Sequence, residues 1–145
     1  MFYWWFLCRI NSRKLVSAIT HAESHTSGEI RIYVAHGESA DPLTDAKAQF
    51  EALGMTQTAQ RNGILFYIAP RSRNFAILGD TGIHAKCGEA FWRELAGMLS
   101  KTFRSGRLTE GLIATVERAG SLLSEHFPRQ DDDQNELPNG IVRGR

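Results

Sequence analysis

Cysteine is scarce: Cys8 and Cys87 are the only two in 145 residues, and they form neither a CxxC pair nor part of a ligand cluster. A disulfide-stapled scaffold is therefore excluded, and a reducing, cytoplasmic setting is the expectation. Long apolar runs are also missing. A helical membrane span needs about 20 consecutive apolar residues, and no stretch of this sequence approaches that. Nor is there an excess of one charge. Lys and Arg number 17 against 16 Asp and Glu, a formal net charge of +1, which argues against a nucleic-acid partner. The chain has no P-loop, GxGxxG or GxSxG motif, no Cys/His nucleophile pair and no EF-hand spacing.

What is present suits one small α/β domain. The length fits a single unit, and 42% hydrophobic residues can fill a core. Residues 11–25 read as a helix with Leu15, Ile19 and Ala22 on one stripe. Glu29 to His36 (EIRIYVAH) alternates as a strand, with Ile30, Ile32 and Val34 on one face. Asp41-Pro42 marks a helix start, with Asp41 as its structural cap, and Gly54 marks the end. Gly63 to Ala69 (GILFYIA) is apolar throughout, as a strand covered on both faces should be. PRSRN is a turn, and Phe75 to Leu78 a third strand. Helical spacing resumes from 83 to 103, with Gly88 able to divide it, and again from Leu108 to Phe127. A helix between the first two strands predicts a parallel pair with a right-handed crossover. A short turn between the second and third predicts an antiparallel pair.

The two ends stand apart. Residues 1–12 form an aromatic extension, MFYWWFL followed by Arg9, which reads either as an interfacial anchor at a membrane or as an extension packing on the fold. Residues 13–128 are the domain, and 129–145 an acidic, polar tail.

Strand direction brings polar groups to one edge. Asp80, at the end of the third strand, should approach Arg61, Asn62, Ser27 and Glu29, with Glu89 following on the next helix. Carboxylates meeting on loops suit a hard cation, so Asp80, Glu89 and Glu29 are candidate ligands for Ca2+ or Mg2+. Arg61 is a candidate contact for an oxyanion or phosphate. No residue stands out as a catalytic nucleophile. His21 and His25 share a helix face, but HAESH is not the HExxH order and lacks a third ligand. Asp80-Thr81-Gly82 spells the DTG of aspartic proteases, yet the chain turns helical there.

The stretches HAESHTSGEIRIYV, DAKAQFEALGMTQTAQRNGILFYIA, NFAILGDTGIHAKCGEAFW and FRSGRLTEGLIATVERAGSLLSEHFP resemble the TPM-domain family, as does the tail DDDQNELPNGIV. The resemblance implies an α/β/α sandwich around a small mixed sheet of three to four strands. It implies divalent-cation binding at acidic loops in some members, an acid-phosphatase-like activity in some plant members, and membrane accessory roles in some animal members. The tail resembles the end of one bacterial branch of the family, whose members usually lack a signal peptide. The family loop often carries two successive acids before its Phe-Trp and another after; here those places hold Glu89, Ala90 and Arg93. Asp131, Asp132, Asp133 and Glu136 are further oxygen donors in the tail. The expectation is an accessory or interaction module with loops ordered by calcium or magnesium, meeting a protein partner, peripheral to a membrane. The alternative is a metal-dependent hydrolase of phosphomonoesters.

Overall fold

The computed structural model describes residues 2–129 and 141–144, with side chains from Trp5 onward. Its elements are α1 (Phe2–Arg9), α2 (Ser12–Glu23), β1 (Glu29–Val34), α3 (Pro42–Ala52), β2 (Gly63–Ala69), β3 (Asn74–Gly79), α4 (Thr81–Cys87), α5 (Glu89–Ser105), α6 (Leu108–His126) and β4 (Ile141–Arg143). The sheet order is β3-β2-β1-β4. β1 and β2 are parallel, β2 and β3 antiparallel, and β4 runs parallel to β1.

Alternation along the strands sorts the core into two layers. Ile30, Ile32 and Val34 of β1, with Ile64, Phe66 and Ile68 of β2, face a cluster built with α2, α5 and α6. Leu15, Ile19, Leu95, Leu99 and Leu123 are fully buried in it. The other face carries Leu65, Tyr67 and Ala69 against Ala46 and Phe50 of α3 and Met55. β2 is buried along its whole length because both layers cover it. The result is the expected α/β/α sandwich.

Local chemistry places the helix ends. The Asp41 carboxylate accepts from the Thr44 amide at 3.3 Å and from the Thr44 hydroxyl at 2.7 Å, starting α3 with Pro42 in its first turn. At Gly88 the backbone turns to a φ of 75°, which separates α4 from α5.

The two ends join the fold. Of the two readings of the aromatic start, the structure has it packing on the body: Phe6 and Ile10 are buried in the larger core cluster, and Phe6 packs on Phe103 at 6.3 Å between ring centroids. The polar tail is not all tail. Ile141–Arg143 pairs with Ile32–Val34 and supplies the fourth strand. The tail acids Asp131, Asp132, Asp133 and Glu136 lie outside the described residues. Among the described residues no helix is long and apolar enough to cross a membrane.

Candidate functional site

Asp80 sits where β3 hands over to α4. Its amide donates to the Gly63 carbonyl at 3.0 Å, which ties this corner to the start of β2. Its carboxylate caps α4 by accepting from the Thr81 amide at 2.7 Å. Arg61, on the loop before β2, closes over it: Nε donates to Oδ2 at 2.6 Å and Nη2 to Oδ1 at 2.8 Å. The Asp80 side chain is 4% exposed and that of Arg61 46%. A buried carboxylate is thus neutralised by a half-exposed guanidinium, in the two-pronged geometry that arginine suits. The hydrogen bonds it donates to Asp80, then the Asp80 charge, raise the Arg61 pKa above its ordinary value.

The 58–62 loop that carries Arg61 is itself pinned. Arg61 adopts a φ of 52°, in the left-handed region. The Asn62 amide donates to the Thr58 hydroxyl at 3.2 Å, and Asn62 Nδ2 donates to the Ser27 hydroxyl at 3.1 Å. Gly82 fits under this loop only because it has no side chain: a Cβ there would lie 2.1 Å from the Gln60 carbonyl oxygen and 2.7 Å from that of Arg61.

The other two expected ligands go elsewhere. Glu89 is exposed on the first turn of α5 and pairs along the helix with Arg93 at 3.7 Å. Glu29 is buried at the start of β1, opposite Gly63, so β2 stands between it and β3. Its neighbour is Glu23, and Arg61 turns to Asp80 instead. Among the described residues, no three His, Cys, Asp or Glu side chains converge as a metal would need. His21 and His25 stack edge to face at 5.1 Å and are exposed.

A trio of Asp80, Glu89 and Glu29 therefore does not fit a shared cation. The loop beside α4 offers oxygens: the Gln60 and Arg61 carbonyls next to Gly82, the latter accepting the Gly82 amide at 2.9 Å, and Asn62 Oδ1, which is buried without a hydrogen-bond partner. Hard divalent cations take such ligands.

A family model described as TPM domain matches residues 6–122. The chain belongs to the TPM-domain family. Among solved structures, this TPM domain is similar to the BA42 protein of the psychrophilic bacterium Bizionia argentinensis. Identity is 36%, coverage is 92% of each chain, and the TM-score is 0.86. The N-terminal domain of the cg2496 protein of Corynebacterium glutamicum shares the fold at 15% identity, covering 90% of this chain and 76% of that one, with a TM-score of 0.58. No curated protein matches. The family match begins at Phe6, in agreement with the burial of that ring.

This TPM domain also holds a buried polar cluster that the sequence pattern did not flag. The amides of Glu29 and Ala35 bond toward β2, which leaves the Ile30 amide on the opposite edge of β1. Glu23, the last residue of α2, accepts that amide with Oε2 at 2.7 Å. Glu23, Glu29 and Arg31 are all at most 5% exposed. Burial foremost, then the Glu29 charge and hydrogen bond, raise the Glu23 pKa to about 8 against the opposing Ile30 amide. Burial lowers the Arg31 pKa, opposed by the two carboxylates. The available signal was position: Glu23 falls on the stripe set by Leu15 and Ile19, where a charge needs a reason.

Proposed function

We propose that this TPM domain is an accessory or interaction module whose Asp80 corner takes a calcium or magnesium ion in competition with the Arg61 guanidinium. The observation that carries the reading is the pairing itself: a buried carboxylate whose counter-charge is an exchangeable, half-exposed side chain. Asp80 would be the one carboxylate ligand, with oxygens of the 60–62 loop completing the set. The ion would supply a divalent counter-charge holding that loop against α4. The loop and α4 would then present an ordered surface to a protein partner.

The phosphomonoesterase reading asks more of the same residues. Arg61 would have to hold phosphoryl oxygens, whereas its Nε and Nη2 both donate to Asp80.

The test is a calcium and magnesium titration followed by backbone amide shifts, run beside an assay of p-nitrophenyl phosphate hydrolysis. Shifts should centre on residues 60–62 and 80–82, persist in Glu89→Gln, and vanish in Asp80→Asn, with no turnover. Absence of any shift at millimolar ion would remove the cation from the account. Turnover lost in Asp80→Asn would favour the hydrolase.

A further inference from the structure

The end of the molecule opposite Asp80 carries an unusual surface. On α1, Trp5 is 48% exposed, one of two large apolar side chains so exposed among the described residues. Arg9, one turn on, lies over the Trp5 ring at 5.3 Å. The same helix turns Phe6 inward, so it is fixed to the body while its outer stripe, Trp5, Cys8 and Arg9, faces water. A cavity of about 430 Å³ opens beside Trp5, walled by Phe6, Ile68, Pro70, Phe103 and Leu108.

Arginines from distant parts of the chain ring this patch. Arg71 lies in the Pro70–Ser72 turn that packs on α1. Arg73 borders the cavity. Arg104 follows Phe103, and Arg107 precedes Leu108. Arg71, Arg73, Arg104 and Arg107 are exposed. Glu110, paired with Arg107 at 3.9 Å, is the one acid in these segments. Ser39, next to Glu38, donates its amide to the Ser72 hydroxyl at 2.7 Å and its hydroxyl to Asp45, so Glu38 and Asp45 border the Arg71–Arg73 turn from the α3 face of the sheet, whereas α1 packs on the other face. In a chain of net charge +1, this is a local concentration of positive charge around an aromatic helix.

We propose that this end is a docking surface for a bilayer carrying anionic lipids, with α1 lying in the headgroup layer. An indole beside a guanidinium suits the interface, where one end of the group is apolar and the other wet. The arginine collar supplies attraction to lipid phosphates, and the cavity offers an apolar recess at the same level. The proposal is independent of ion uptake at Asp80.

The test is co-sedimentation of the full chain with vesicles of phosphatidylcholine alone and of phosphatidylcholine with phosphatidylglycerol. Wild type should pellet only with the anionic vesicles, and less so as salt rises. Each arginine removed should weaken partition roughly five-fold, so Arg71→Gln with Arg104→Gln should lose more than ten-fold. Trp5→Ser should also release the protein, with an unchanged far-ultraviolet spectrum showing that it still folds. Lys47→Gln, on α3, should bind as wild type does. Failure of wild type to pellet with anionic vesicles at low salt would overturn the proposal. So would undiminished binding by the double arginine variant. Capture by polyglutamate without binding to vesicles would also overturn it, and would assign the surface to an acidic protein.

Discussion

Arg61 and Asp80 form a two-pronged pair that joins the loop before β2 to the end of β3, with Nε to Oδ2 at 2.6 Å and Nη2 to Oδ1 at 2.8 Å. The partners are unequal: the aspartate is buried and the arginine half in water. Removing the arginine strands a buried negative charge, whereas removing the aspartate frees a guanidinium to turn outward. Arg61→Ala should therefore be destabilising in divalent-free buffer. Adding Asp80→Asn to it should restore stability, because asparagine still caps α4 and carries no charge. Urea unfolding of the single and double variants measures this. A double variant less stable than Arg61→Ala would show that the buried charge is not the cause.

The Glu23 carboxyl predicts how stability depends on pH. In the folded state it keeps its proton up to about pH 8, against an ordinary value of 4.5. Between these values the folded chain binds more protons than the unfolded one. Stability from this group is thus complete below about pH 4.5 and is lost as pH rises toward 8. Glu23→Gln retains an acceptor for the Ile30 amide and has no charge to bury. It should be more stable than wild type near pH 8, by on the order of 1–3 kcal/mol, and the difference should shrink near pH 5. Denaturant unfolding at the two pH values decides it; equal pH slopes would contradict the assignment.

Much of the fold could be read from the chain because local and tertiary demands agreed. GILFYIA is a strand buried on both faces, and Asp41-Pro42 and Gly88 mark helix boundaries that backbone chemistry alone dictates. Other features depend on partners distant in sequence. Ile141–Arg143 is too short and too polar in context to announce a strand; it becomes one by pairing with β1. The aromatic start left two readings open, and it is Phe103, distant in sequence, that supplies the wall on which Phe6 packs. For the site, strand directions brought Arg61 to Asp80 correctly. They did not show that Glu29 would lean on Glu23, since that contact depends on where the end of α2 packs against β1.

β4 has a protective role that truncation should expose. It pairs with Ile32–Val34, and the Gly144 amide donates to the Val34 carbonyl at 2.7 Å. Ending the chain after Arg129 uncovers that edge of β1, and an uncovered edge recruits other strands. The truncated chain should melt at lower temperature and self-associate with rising concentration in sedimentation velocity. A truncated chain that stays monomeric and as stable as the full one would make β4 dispensable.

The exchange of Arg61 for a divalent cation is tested most directly by thermal unfolding with and without millimolar calcium. Arg61→Ala should gain more in melting temperature from calcium than wild type does, since its Asp80 awaits a counter-charge. The variant combining Arg61→Ala with Asp80→Asn should gain nothing. An equal calcium response in all three proteins would place the ion somewhere other than Asp80 and contradict the account.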